Sequence, residues 1–571
     1  MLRYMTRDDE ARLRRADGRH AHPAVPHLAD CFARGALGRR DFLRQVCWLG
    51  VSAAAAQGFV AAMTGTPARA ASASTARETP RRGGELRWSM PVREIADPAT
   101  FPVEEESNIT RHIVEYLTWT DAENVTRPYL ARAWEASADL RVWTFRLRED
   151  VTWSNGDAFT AEDVAFNVRR WLDPATGSSN RTLFASMLAT DDRGDSYAPD
   201  GAVEVLDRHT LRLHLTRPDA ALPENFFNYP TAILHPRFEA EGGDLAANPV
   251  GTGPYTLDHM QVGESARLVR RQAPYWGTAP YLDAVRFLDH GSDATTALAA
   301  LVSGQVDVVQ QVDPRQADLL GTREGLRLEG VAAADTAVAR MRTDLPPFDD
   351  RRVRQAVTHC ADRARLLELG YGGHGTPAED HHVGPMHPDY ATLPAPTRDP
   401  ERARQLLREA GYPDGLDLTI AVGNTTGPWE VETIQALKEQ LEPGGLRLAI
   451  DTMPGSRYWD VWKDVPFGFT VWLHRPLGVM VPNLAYRSGG TWNETRYANP
   501  EFDAALDAAN AELDPEARKV KMAKVEAILQ TDAAICQPFW RRPYSGVSDR
   551  VRGFARHPSG YALTHEIWLA G

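Results

Sequence analysis

Trp153-Ser154-Asn155-Gly156-Asp157-Ala158-Phe159-Thr160-Ala161-Glu162-Asp163-Val164 passes from one backbone regime to another within a few residues. Asn155-Gly156-Asp157 is turn chemistry: glycine accepts positive φ, and Asn and Asp side chains bond their own backbone. Thr160 stands as an N-cap with Glu162 and Asp163 in the first helical turn, and the helix continues from Val164 to Trp171. Upstream, Arg141 to Arg148 alternates, with Trp143, Phe145 and Leu147 on one face and Val142, Thr144, Arg146 and Arg148 on the other. That is the period of a strand. Working outward, Gly84–Met90 and Leu211–Leu215 also read as strands, and Asp293–Val302 as a helix. Gly304–Val309 is a turn into a buried strand. Glu401–Ala410 is a helix closed by Gly411, and Leu416–Val422 is a strand. Pro500–Ala511 and Pro515–Leu529 are helical. Strands and helices interleave throughout, which is a mixed α/β pattern with no short-period repeat.

The N-terminal stretch carries an address. Gly38-Arg39-Arg40-Asp41-Phe42-Leu43-Arg44 precedes a weakly apolar run from Val46 to Thr64, and Ala68-Arg69-Ala70 follows. Adjacent arginines, an apolar run and a small-x-small site are the parts of a twin-arginine export signal. The run contains Ser52, Gln57 and the block Ala53–Ala56, too weakly apolar for a stop-transfer helix, so cleavage is expected rather than a retained anchor. Cys47 follows Arg44-Gln45-Val46 and lacks a lipobox. Met1–Leu37 is long and charged for a signal n-region, which points to a start further along the chain. Ala71–Arg82 is a linker without periodicity.

Removing the first 70 of 571 residues leaves 501, too many for one ordinary core and suited to two or three lobes. The mature part holds 53 basic and 71 acidic side chains, a net charge of −18, which argues against nucleic acid as a partner. Of the four cysteines, Cys360 and Cys536 survive cleavage. A twin-arginine substrate folds in a reducing cytosol before export, so two buried thiols are expected rather than a disulfide.

Six ordered motifs then line up: Leu130–Ser137 with Trp143–Arg148; Trp153–Val164; Gly251-Thr252-Gly253-Pro254-Tyr255 with Tyr275-Trp276-Gly277; Leu301–Asp307; Asp350–Val357 with Asp362-Arg363; and Tyr497–Asp503. Together they resemble the family 5 solute-binding proteins of ABC importers, the oligopeptide, dipeptide and nickel-binding group. The resemblance covers essentially the whole mature chain. It implies a two-lobed periplasmic-binding-protein fold (type II, cluster C) with an extra subdomain in lobe I, here about residues 110–220. Lobe I would comprise 83–262 plus 541–571, and lobe II 263–540. The resemblance further implies a monomer whose lobes close on a small solute and whose closed form docks on an inner-membrane permease. Locally, Gly251-Thr252-Gly253-Pro254-Tyr255 is a tight turn in which the glycines permit positive φ, without the helix context of a phosphate loop. Arg351–Arg354 beside Asp349 and Asp350 is a solvated helix start.

Peptide-binding members of the family hold the ligand's amino group with an aspartate in a Trp-x-x-Asp-like segment. Here that segment reads Val471-Trp472-Leu473-His474-Arg475-Pro476-Leu477-Gly478, without a carboxylate. Dipeptide-type members hold the ligand carboxylate with an arginine before a Pro-aromatic pair. Here Gly423-Asn424-Thr425-Thr426-Gly427-Pro428-Trp429 lacks it. Arg475, a fixed cation with a fork of donors, and His474 suit an anion instead. Trp429 and Trp472, with Trp459 beside them, could wall a ligand or belong to the core.

The loop Glu379-Asp380-His381-His382, with His387, concentrates histidines and carboxylates. Its spacing is not that of a helix-borne or finger metal site, so the loop is expected to be structural or ligand-adjacent, with His381 and His382 bonding ligand if they face the cleft. No Gly-x-Ser-x-Gly and no His-Glu-x-x-His is present. The reading is therefore a periplasmic carrier of a peptide or peptide-like solute, not an enzyme and without a cofactor. A nickel, metal-chelate or other anionic-solute carrier on the same fold is the alternative, and an exported hydrolase the distant one.

Overall fold

The computed structural model describes residues 79–570 except 123, 180, 292 and 491, together with the helix Val25–Ala33 and isolated positions between 13 and 63. Much of the proposed export signal, including Arg40 and the Ala68-Arg69-Ala70 site, and most of the linker lie outside the described residues.

The deciding stretch folds as its chemistry dictates. Trp153 N–H donates to Asp157 O (2.9 Å), Gly156 takes φ +92°, and Asn155 Oδ1 accepts from Asp157 N–H (3.0 Å). Thr160 and Asp163 form a reciprocal capping box at the start of helix Ala161–Leu172. The same Asp163 carboxylate accepts the Trp153 indole N–H at 2.9 Å, tying turn to helix. Trp143, Phe145 and Leu147 are fully buried against Val164, Val168 and Trp171 of this helix's inner face. This is the core of a subdomain built on a four-stranded sheet in the order Ala131–Ala136, Val142–Leu147, Thr210–His214, Val203–Asp207.

Two larger sheets carry the lobes. The first runs Tyr255–Gln261, Ser265–Arg270, Ala284–Leu288, Glu85–Ser89, Val308–Val312, Tyr544–Ser548, Leu326–Gly330. Its core includes Leu86, Trp88, Phe287 and Val547. The second runs Gly375–Pro377, Phe539–Arg541, Asp335–Met341, Phe467–Trp472, Leu416–Asn424, Leu446–Pro454, and Ile535–Cys536 also pairs with Asp335–Met341. Its core includes Phe467, Phe469, Ile434 and Leu437. The chain crosses from the first sheet to the second at 331–334 and returns at 542–543.

This topology moves the lobe division expected at residue 263. Gly263 (φ +74°) closes an antiparallel hairpin between Tyr255–Gln261 and Ser265–Arg270, and all strands to Gly330 remain in the first sheet. A hairpin turn and a domain boundary look alike in sequence, because both interrupt an apolar run with glycine.

The Gly251–Tyr255 turn also has a different cause from the one expected. Neither Gly251 nor Gly253 has positive φ. They are small because the backbone of 112–113 passes against them: a Cβ on Gly251 would sit 1.9 Å from Ile113 O, and on Gly253 2.4 Å from His112 O. Gly253 N–H and Tyr255 N–H donate to those same carbonyls at 2.8 and 3.0 Å.

Cys360 and Cys536 are free buried thiols, each pushed up to about 12 by burial. Among the described residues no helix is long and apolar enough to cross a membrane.

Gly251→Ala should cost about 3 kcal/mol or more, since the clash is with backbone that cannot swing away. Gly156→Ala, open around its Cβ but at positive φ, should cost about 1 kcal/mol. Urea denaturation of the two variants checks the order; equal costs would contradict the close-approach reading.

Candidate functional site

The functional geometry begins at the two crossings. Asp335 opens its strand just after the first, Arg541 ends its strand just before the second, and they are ladder partners. Asp335 Oδ2 lies 3.5 Å from Arg541 Nη2, while Asp335 Oδ1 accepts the backbone N–H of His474 at 2.7 Å. Burial raises the Asp335 carboxyl, opposed by Arg541 and the His474 N–H. His474 Nδ1 accepts from Ala334 N–H at 2.9 Å. In the neutral ring Nε2 therefore bears the proton and donates to Asn124 Oδ1 of lobe I at 2.8 Å. His474 is thus a strut between lobes, with both ring nitrogens engaged.

The next residue, Arg475, is 5 % exposed. One guanidinium nitrogen reaches its neighbour's carbonyl, Nη1 to His474 O at 3.1 Å, and the cation lies 5.6 Å from the Tyr229 ring centroid on lobe I. Its Nε has no hydrogen-bond partner. It lines a small inter-lobe cavity, walled by Pro476 and Met480 from lobe II and by Glu224, Phe227 and Tyr561 from lobe I.

The other sequence candidates lie behind this surface. Trp472 donates its indole N–H to Glu494 Oε1 at 2.8 Å and packs on Trp492 and His382. Trp429 is buried in the lobe II core against Tyr371 and Phe469, with the Arg541 guanidinium 4.6 Å over its ring. Trp459 sits partly exposed on helix Gly455–Val461, against Trp462. None of these three tryptophans lines the cavity.

The histidine loop is interior too. His382, at φ +61°, bonds Tyr486 Oη through Nδ1 at 2.8 Å, and burial lowers it to about 3. His381 Nε2 lies 3.3 Å from Glu379 and 3.7 Å from Glu526. His387 Nε2 bonds Arg475 O at 3.0 Å, and its ring stacks on His474. The loop therefore buttresses the segment that presents Arg475. Among the described residues no three His, Cys, Asp or Glu side chains converge as metal ligands.

Sequence reasoning missed the lobe I side. Arg111 is 5 % exposed, its cation 3.9 Å from the Tyr561 ring centroid and 4.9 Å from that of Tyr116, with Nε and Nη1 unpartnered. Burial beside Glu105 holds the Glu104 carboxyl well above its ordinary value and pushes Glu106 up to about 8. The tail carrying Tyr561 is strapped to the same helix: Asn108 Nδ2 donates to Gly560 O (3.0 Å), and Asn108 Oδ1 accepts from Ala562 N–H (2.9 Å). The triplet Glu104-Glu105-Glu106 was visible, but acids abound in this chain and nothing local marked these ones. Glu224 lies in a four-residue helix, Leu222–Asn225, with no periodic signal at all.

This is a cavity between two lobes, and residues 126–494 match the bacterial extracellular solute-binding proteins, family 5 Middle. The chain belongs to that family. Heme-binding protein A of Haemophilus influenzae is 27% identical over 488 residues, covering 78% of this chain and 84% of that protein. The periplasmic oligopeptide-binding protein OppA of the same organism is 26% identical over 507 residues, covering 81% and 89%. The solved murein tripeptide binding protein MppA of Escherichia coli superposes with a TM-score of 0.76 at 22% identity, covering 86% of this chain and 99% of that one, a likeness of fold.

Buried neutral histidines give the protein an acid limb. His382 and His557 are lowered to about 3, against about 6.5 in an unfolded chain. Between these values the unfolded state binds more protons, so their contribution is complete above pH 6.5 and is lost as pH falls toward 3. Removing one such histidine in His382→Gln should make stability fall less steeply from pH 6 to pH 4, by about 1.4 kcal/mol per pH unit. Denaturant titrations at several pH values check this; an unchanged slope would mean that His382 is charged in the fold.

Proposed function

We propose that this protein is the substrate-binding component of an ABC importer. The twin-arginine segment directs it to the periplasm, where as a monomer it captures a peptide or peptide-like solute between two closing lobes and delivers it to an inner-membrane permease. Arg475 carries the reading: a desolvated guanidinium with an unpartnered Nε, held rigidly on lobe II and facing an inter-lobe cavity. A fixed buried cation of this kind is an anchor for a carboxylate. Ligand contacts on both lobes would shift the open–closed equilibrium toward the closed form that a permease could recognise.

Calorimetric titration of the mature protein with di- and tripeptides tests this. Saturable one-to-one binding with the peptide recovered intact is expected; cleavage of the peptide, or no binding, would contradict it. Arg475→Gln should weaken binding by about 2–3 kcal/mol, roughly 30–150-fold. Its unliganded denaturation midpoint should hardly move, because among the described residues the Arg475 side chain makes one hydrogen bond, to a neighbouring carbonyl. Unchanged affinity would remove Arg475 from the site.

A further inference from the structure

The charged stretch ahead of Arg39 carries a helix, Val25–Ala33, with apolar side chains at i, i+3, i+4 and i+7. Val25, Leu28, Ala29 and Phe32 are each at most 2 % exposed. The solvent side holds the ion pair of Arg34 with Asp30 at 2.7 Å. What the apolar face covers is the export signal itself. Phe32 stacks on Phe42 with ring centroids 4.7 Å apart, and Phe59 lies 6.2 Å from Phe32 and 5.2 Å from Phe42. Phe42, Val46, Ala56 and Phe59 are fully buried, and Val60 and Met63 share the same core. Arg39 is exposed. The helix also touches the body of the protein. Burial raises the Cys31 thiol, and the carboxylate of Asp514, the N-cap of helix Pro515–Asp532, raises it further. Leu513 belongs to the same apolar cluster as Phe32.

We infer that helix Val25–Ala33 is an intramolecular cover for the export signal, docked at the Leu513–Asp514 corner of lobe II. The inference rests on the twin-arginine reading above and adds a controlled step to it. Phe42, Phe59 and Met63 cannot lie against the helix and in a membrane at once, so the apolar run enters lipid only after the helix has moved away. The exposed Arg39 stays open to a receptor while the run is withheld. A nine-residue helix is marginal in isolation, so its order depends on this packing. Its anchor lies on the folded body, which ties the covered state to a folded lobe II.

The test follows signal processing of the full chain by pulse-chase in its own cells, for the wild type, Leu28→Asp with Phe32→Asp, and Arg39→Lys with Arg40→Lys. The uncovered variant should be processed roughly 3- to 10-fold faster, the range for losing one buried aromatic contact. Equal or slower processing would overturn the cover and leave the export reading intact. The double-lysine variant should not be exported; its normal export would overturn the twin-arginine reading, and the cover with it. Hydrogen exchange on the purified full chain gives an independent readout, because both cover substitutions lie outside the mature body. Backbone amides of 25–33 should be protected in the wild type and exchange freely in the uncovered variant; free exchange in both would overturn the docking.

Discussion

The Asp335 carboxylate holds the functional centre together. It sits where the chain has just crossed between sheets, opposite Arg541, which precedes the return crossing, and it fixes the backbone of His474. That bond sets the position from which His474 reaches Asn124 on the other lobe and from which Arg475 faces the cavity. Burial works against the charge on Asp335, and Arg541 with the His474 N–H offsets it. Such a pair contributes little net stability compared with apolar packing, but losing one partner leaves a buried charge uncompensated. Its value here is geometric: one carboxylate registers both crossings and the segment that carries Arg475.

The cavity extends this logic. Charges that would be expensive in a closed core are tolerable in a cleft that opens to water and closes on a complementary solute. The histidine loop, the Asn108 clamp on Gly560 and the aromatic box around Arg111 keep the cleft walls stiff.

The fold was legible because its signals are local. Asn155-Gly156-Asp157 and the Thr160/Asp163 box specify turn and helix from adjacent residues, and helices such as Pro500–Asn510 and Pro515–Asp532 begin at proline after a capping Asn or Asp, as read from sequence. The lobe division was not legible, because the hairpin at Gly263 and a linker share one vocabulary. Of the sequence candidates, Arg475 lines the cavity. Arg475 and His474 came from asking what replaced a missing carboxylate. The flanking tryptophans and histidines share their residue types with ligand walls, and only their partners — Glu494, Tyr486, the Arg475 carbonyl — reveal interior roles. Glu224 comes from a segment distant in sequence that only the tertiary fold brings to the cavity.

The central claim is that the two lobes close on a peptide-like solute whose carboxylate is held by Arg475. Native mass spectrometry of the mature protein recovered from its own periplasm reads the occupant directly. The account predicts a single non-covalent adduct whose mass and fragmentation show a peptide-like molecule bearing a carboxyl group; a metal complex, or an adduct without a carboxyl group, would contradict it.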